Sequence, residues 1–467
     1  MAAARVFGAV DIGASGGRVM AGVVEGGRVS LHPVHRFPNG VVARDGHLRW
    51  DVTALFDEVL VGLRALGRDF PEIESIGIDT WAVDYALLDD DGHLVDDPIA
   101  YRDDRTAAAV EAVHARVPPI DLFARNGLQH LPFTTLYQLV ADRAAGRSGA
   151  TVVLLPDLLA FWLTGVLRTE VTNASTTGLL DVRTGRWDPD LLALAGVDAA
   201  QMPPLEEPGT VRGPLLPTVA AEVGLPATCV VTTVGSHDTA SAVVGVPATT
   251  DRFAYVASGT WSLVGVETAA PVVTEHCRSA RFTNEAGVDG RTRLLRNVGG
   301  LWLLQECLRE WGDPALEPLL DGAARRPAGG PSFDADDPAF VAPGGMPDRI
   351  AAAADGPLVD RPAVVRSILD SLAFVHGRTL MRVQRLTGRE IDVVHVVGGG
   401  SQNALLCQLT ADACGVPVVA GPVEATALGN VLVQARAHGA APGTLEEIRS
   451  LVVASIPLTR YDPRETP

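Results

Sequence analysis

At 467 residues with 47% hydrophobic side chains, the chain has enough apolar mass for two domains, or three. Its formal net charge of −18 and lack of any basic run disfavour a nucleic-acid partner or an anionic membrane surface. None of its 38 basic residues is lysine, which excludes a Walker A phosphate loop, a protein kinase's strand lysine and Schiff-base chemistry, so any ATP must be held by backbone amides and carboxylates.

Strand-like runs alternate with helical ones throughout, which predicts an α/β protein with mixed sheets. The opening "MAAARVFGAVDIG" begins strand residues at once and breaks them with a charge and glycines, unlike a signal peptide. No run of about 18 apolar residues predicts a membrane span. "RVFGAVDIG" and "RVMAGVVEGGRVSLHPVHRF" predict a three-stranded meander with glycine turns. "DVTALFDEVLVGLRALG" has helical spacing through Val52, Leu55, Phe56, Val59, Leu60 and Leu63. "IESIGIDTWAVDYALLDDDGHLV" reads as a buried strand, a polar loop and a hairpin with an Asp-Gly turn. "TVVLLPDLLAFWLTG" reads as a strand running into a helix opened by Pro156. "VVTTVGSHDTASAVVG" is a strand turning into a helix of small residues. "LLRNVGGLWLLQECLREW" reads as a helix with its polar start at Asn297, and "PVEATALGNVLVQARAHG" as one opened by Pro422. The tail "RYDPRETP" is the one stretch expected to be disordered. The five cysteines contain no C-x-x-C pair and read as reduced core residues of a cytosolic protein.

Two stretches look alike. "FGAVDIGASGGRV" at residues 7–19 and "FAYVASGTWSLVG" at 253–265 both run strand, glycine, small or hydroxyl residues, strand. Gly13 aligns with Gly259 and Asp11 with Ala257. A duplicated unit follows, with domains at 1–246 and 247–467 and a turn-rich boundary near 245–252. The alternative is two unrelated glycine hairpins.

Four places carry candidate chemistry. Asp11 ends a buried strand before "GASGGR", where backbone amides can wrap phosphate oxygens and the carboxylate can hold Mg²⁺, directly or through water. Otherwise it is an ordinary turn aspartate. Asp238, at a strand-to-helix junction, is either an N-cap or the base that takes a proton from a hydroxyl in phosphoryl transfer. His237 beside it reads as a substrate contact rather than the base. Trp81 with Asp79, Thr80 and Asp84 either offers a sugar an apolar face and acceptors or is core. "VVGGGSQNALL" places Gly398, Gly399 and Gly400 before a helix, where a nucleotide can approach the backbone.

Taken together, "DIGASGGR", "SGTWSL" and "GGGSQN" resemble the first phosphate loop, second phosphate loop and adenosine-side loop of the FGGY carbohydrate kinases. The resemblance spans nearly the whole chain. It implies two actin-like (ribonuclease H-like) ATPase domains with ATP and sugar in the cleft between them. The blocks "HRFPNG", "DTWAVDY", "YRDDRT", "LPFTTLYQL", "TNASTTGLLD", "SHDTASAV", "NVGGLWLLQ" and "GPVEATALGN" are most similar to the branch that phosphorylates L-rhamnulose at its 1-hydroxyl. Carried over position by position, this implies that Ala14, Ser15, Gly16, Gly17 and Arg18 bind ATP phosphates with Thr260. Gln305 and Gly400 would line the nucleotide site, with Mg²⁺ at Asp11. Asp238 would be the base, and Ala82, His237, Asp238, Thr239 and Asn297 would contact the sugar. Many members of the family carry glycine where this chain has Ala82, which bears on which sugar fits. Another ketose, such as L-fuculose or D-xylulose, is the alternative substrate. A non-catalytic actin-like nucleotide-binding protein is the alternative of another class, though it has no use for the Ser-His-Asp-Thr segment. A nicotinamide dehydrogenase would rest on the glycine triplet alone.

Overall fold

The computed structural model describes residues 4–464. In chain order, the elements that build the core are β1 (Arg5–Gly13), β2 (Gly16–Glu25), β3 (Arg28–Pro38), α1 (Val52–Asp69), β4 (Ile73–Thr80), β5 (Val211–Pro214), β6 (Val230–Thr232) and α2 (Asp238–Val244). They continue with β7 (Phe253–Ser258), β8 (Trp261–Thr268), β9 (Thr292–Gly299), α3 (Trp302–Glu310), α4 (Arg361–Thr387), β10 (Val393–Val397), α5 (Ala404–Cys414), β11 (Val418–Ala420), α6 (Ala425–Ala437) and β12 (Thr459–Tyr461). The chain forms two compact units that are not contiguous in sequence. One comprises Met1–Gly245, Glu267–Arg293 and Ala425–Ser455, the other Val246–Val266, Leu294–Glu424 and Ile456–Pro467.

The first unit holds a sheet in the order β5-β6-β4-β1-β2-β3. The meander β1-β2-β3 is antiparallel, β1 pairs parallel with β4, β4 parallel with β6, and β6 antiparallel with β5. In the second unit the strands run β9-β8-β7-β10-β11-β12. There β7 pairs antiparallel with β8 and parallel with β10, β10 parallel with β11, and β11 antiparallel with β12. Read outward from β1 and from β7, the two sheets share strand order, and they share sense from β8 through β7, β10 and β11 to β12. Central strands such as β1 are buried on both faces, hence their apolar runs.

Helices cover the faces for local reasons. Asp51 caps α1 by accepting from the Ala54 amide at 3.0 Å, and the helix buries Val52, Leu55, Val59, Leu60 and Leu63, with Phe56 half-buried against the same core. α6 lies against β1 and β4, with Gly77 of β4 leaving room for it: a Cβ there would overlap Asn430 and Gln434. Those two amides fill the seam with polar contacts. Asn430 donates to Asp79 (2.6 Å), Gln434 donates to the Gly8 carbonyl (2.8 Å), and Ser75 donates to Gln434 (2.6 Å).

Four expectations are corrected. Asn297 lies on β9 rather than at a helix start, and the helix begins at Trp302, past the Gly299–Gly300 pair. α6 begins at Ala425, not Pro422, because the Pro422 carbonyl is engaged by the Gly398 amide at 3.0 Å. Strand Tyr85–Leu88 takes its register from Thr151–Leu154, and the Asp-Gly turn closes on it only through an isolated Leu88–Leu94 bridge. The tail is partly ordered: β12 extends the second sheet and Arg464 pairs with Asp412, while residues 465–467 lie outside the described residues.

Candidate active site

In the first unit, three chain segments end side by side. Asp11 of β1 pairs in register with Asp79 of β4, and Thr80 bridges in parallel to His237 after β6. The Thr80 amide donates to the Ser236 carbonyl (2.9 Å) and the Trp81 amide to the Ile12 carbonyl (3.2 Å). These are the carboxyl ends of parallel strands, where α/β sheets place ligands.

Asp11 accepts two bonds from Arg18 across the β1-β2 hairpin, at 2.9 and 2.7 Å. The turn between the strands presents a half-buried Ala14, an exposed Ser15 and a half-buried Gly16. Asn39 steadies it, donating to the Gly13 carbonyl at 2.9 Å. Gly17 has a packing reason of its own, since a Cβ there would overlap the Phe37 ring.

Asp79 is fully buried. Burial pushes its carboxyl well above the ordinary range, and the neighbouring charges of Asp11 and Asp238 add to that, with the Asn430 bond opposing. Its Oδ1 has no hydrogen-bond partner. A buried, unpartnered carboxyl oxygen on the strand position paired with Asp11 is a setting that a cation relieves. Among the described residues no group of three or more His, Cys, Asp and Glu side chains converges as a metal cage. Mg²⁺ takes one or two carboxylates and fills its octahedron with water and phosphate oxygens. The residues present fit the ion.

Asp238 is the first residue of α2. The N-cap position belongs to His237, and Asp238 makes no cap bond. Its Oδ1 instead accepts from the Thr239 hydroxyl at 3.0 Å, and the side chain remains about 30% exposed. The N-cap reading of this aspartate is therefore replaced: the carboxylate is free of a structural duty and open to a ligand.

His237 is held from behind. Arg293, fully buried, donates from Nη2 to His237 Nδ1 at 3.0 Å and lies 3.2 Å from Glu285. Glu285 Oε2 lies 3.4 Å from the same Nδ1. On the other edge of the ring, Nε2 lies 3.5 Å from Asp238 Oδ1. Burial pushes the Glu285 carboxyl up, but Arg293 and His237 outweigh it and hold it below the usual range. A second buried carboxylate shapes the same loop: Glu170 accepts from the Ser236 amide (3.0 Å) and hydroxyl (2.7 Å) and from the Thr172 hydroxyl (2.6 Å). Sequence reasoning missed Glu170, Glu285 and Arg293. Glu170 stands two residues before the "TNAS" block, which was a signal; Glu285 and Arg293 lie beyond the second hairpin and gave none.

The Trp81 loop is corrected. Trp81 is buried and packs on Trp50 with ring centroids 4.3 Å apart. Asp84 accepts from both indoles (2.6 and 2.9 Å), from Gln138 (3.1 Å) and from the Tyr101 amide (3.2 Å), so its oxygens are taken up within the fold. They are a brace. Ala82, half-buried, sits between Trp81 and Val83, whose φ of 67° is costly for a β-branched residue.

In the second unit, Thr260 sits in the β7-β8 turn, whose carbonyls accept from the amides that open α3: Leu301 to Gly259 (2.9 Å) and Trp302 to Thr260 (3.1 Å). Gln305 lies one turn along α3 and is exposed. The glycine triplet folds over the end of β7. Gly398 has φ 82°, and a Cβ on Gly400 would overlap the Ser258 hydroxyl. Thr260, Gln305 and Gly400 are thus gathered around the end of one strand. Asn297 belongs to this unit, whereas Ala82 and His237 to Thr239 belong to the first.

Family models for the FGGY carbohydrate kinases match both halves of the chain, the N-terminal domain over residues 6–245 and the C-terminal domain over 254–438. The chain belongs to the FGGY family of carbohydrate kinases. It is 41% identical to a rhamnulokinase of Bacteroides thetaiotaomicron over 98% of this chain and 96% of that one. It is 40% identical to a rhamnulokinase of Enterococcus faecalis over 98% and 94%. Among solved structures it resembles a gluconate kinase from Lactobacillus acidophilus (TM-score 0.84, 18% identity, 99% and 94% covered). It also resembles a Plasmodium falciparum glycerol kinase with ADP (TM-score 0.78, 18% identity, 98% and 94% covered). The two units are actin-like ATPase domains, and the protein is a sugar kinase that uses ATP with Mg²⁺.

Proposed function

We propose that this kinase transfers the γ-phosphoryl group of ATP to the 1-hydroxyl of L-rhamnulose, giving L-rhamnulose 1-phosphate and ADP. The observation that carries the reading is near-full-length identity of 37–41% to rhamnulokinases from several bacteria. Asp238 accepts the proton of the 1-hydroxyl as the oxygen attacks phosphorus. His237, Thr239, Ala82 and Asn297 make the sugar's contacts. Ala14 to Arg18 and Thr260 cradle the phosphates, and Gln305 and Gly400 line the nucleotide site. Asp11, with Asp79 behind it, would hold Mg²⁺, which neutralises phosphate charge when bound. Arg18 then has two tasks, pairing with Asp11 at rest and facing phosphate oxygens in the complex. The proposed domains run 1–246 and 247–467, each built around one of the two matching sheets. We place the enzyme in the cytoplasm, a reading its five unpaired cysteines support. Among the described residues no helix is long and apolar enough to cross a membrane.

The test is ADP release with Mg²⁺-ATP against L-rhamnulose, L-fuculose, D-xylulose, L-ribulose and glycerol. The expected result is a kcat/KM preference for L-rhamnulose. A preference for another ketose would keep the mechanism and move the substrate, with Ala82 the first position to revert to glycine. No sugar-dependent release would refute the reading.

A further inference from the structure

The first unit contains a second cavity, of about 320 Å³, that shares no residue with the site above. Its polar wall comes from His114 on the helix Ala107–Arg116, His130 on a loop, Tyr137 on the helix Thr135–Ala144, and Arg278 and Arg281 at the end of the helix Glu275–Ser279. Its floor is apolar, with Leu122 and Leu136. No aspartate or glutamate lines it among the described residues. In a chain of net charge −18 that is a local reversal of sign.

The donors converge. Tyr137 Oη lies 3.0 Å from His114 Nε2 and 3.2 Å from His130 Nδ1, and the two imidazole centroids are 5.0 Å apart. A phenol has one proton to give, so one imidazole accepts it and the other donates to the phenol oxygen. The accepting ring then carries its own proton on its other nitrogen, one donor for a ligand. Protonating the second ring adds another. Arg278 is paired with Glu275 (2.7 and 2.6 Å), which leaves Arg281 as the charge that acts on His130. Burial keeps both histidines below their usual range, and for His130 the charges of His114 and then Arg281 add to it. The pocket is thus short of an anion.

The geometry points to this cavity as a binding site for a small phosphate monoester, its phosphate held by Arg281, His114 and His130 and its organic part on the leucine floor. The volume exceeds what inorganic phosphate fills, and the floor is the reason for an ester. Binding takes up one proton, because a dianion stabilises the second imidazolium.

The test uses the full chain with labelled histidine and its nucleotide loops saturated with ADP, so that phosphate at those loops does not interfere. His114→Gln and His130→Gln assign the two imidazole resonances. Glycerol 2-phosphate and inorganic phosphate are the probes. Both resonances should move saturably with glycerol 2-phosphate, which should bind more tightly than inorganic phosphate and about tenfold more tightly at pH 6 than at pH 8. Arg281→Ala, at an exposed position, should weaken that binding about tenfold or more. Resonances unmoved at tens of millimolar ester, a pH-independent affinity, or an unchanged response in Arg281→Ala would each overturn the proposal. So would inorganic phosphate binding more tightly than the ester.

Discussion

At the scale of single residues, the site depends on which carboxylates are occupied by the fold. Glu170 and Asp84 have their oxygens taken up by the fold; Asp238 does not, and that contrast supports the proposal that it is the base. Asp238→Asn is expected to keep ATP binding and lose about 10²–10⁴-fold in kcat, the usual share of general-base catalysis, read by ADP release and nucleotide titration. Near-normal turnover would remove Asp238 from that role. Arg293 acts through His237. Arg293→Met leaves Glu285 buried with only His237 beside it, so it is expected to cost about 3–5 kcal/mol in denaturant unfolding and to raise the sugar KM. Adding Glu285→Gln should recover much of the stability but not the KM, because the imidazole has still lost its donor. Recovery of both would mean that Arg293 serves packing alone.

At the scale of elements, helix α2 presents Asp238 only because α6 lets it come close. Gly429 of α6 faces the Ser241 carbonyl of α2, and a Cβ there would overlap it. Gly429→Ala is expected to cost about 1–3 kcal/mol by overpacking and to lower kcat, since α2 must move to make room. Thermal unfolding together with steady-state kinetics checks both. A stable variant with unchanged kcat would show that the helices do not need this contact. The sequence made α2 and α6 legible as helices, down to their small residues. It did not show that the small residues of one face those of the other, because helix pairing depends on a sheet that both cover.

At the scale of the whole molecule, acid stability carries the mark of buried histidine. His376, on α4 against Thr410 of α5 (3.1 Å), is fully buried, and burial lowers its pKa to about 4. A depressed imidazole is neutral when folded and protonates first when unfolded. Its stability contribution is therefore complete above the unfolded value of about 6.5 and lost as pH falls from there towards 4. The loss is of the order of 3 kcal/mol, and His376→Gln should flatten the pH dependence of unfolding between pH 6.5 and 4.5 by about one proton. An unchanged slope would show that other groups govern acid unfolding.

Much of this protein was decided locally, so the sequence by itself determined it. The meander, α1, the glycine hairpins and the strand-turn-helix around Asp238 follow from side-chain period and turn chemistry over a dozen residues, and the matching hairpins announced two related units. The absence of lysine excluded a Walker A phosphate loop. What only the tertiary structure decided is who stands behind whom. Glu267–Arg293 leaves the second hairpin and rejoins the first unit, bringing Glu285 and Arg293 to His237, and Ala425–Ser455 does the same to seat Asn430 on Asp79. The physical reason is that burial of charge is a three-dimensional quantity. Asp84 and Asp238 look alike in the sequence, and only the desolvated partners around one and the open side of the other separate a brace from the proposed base.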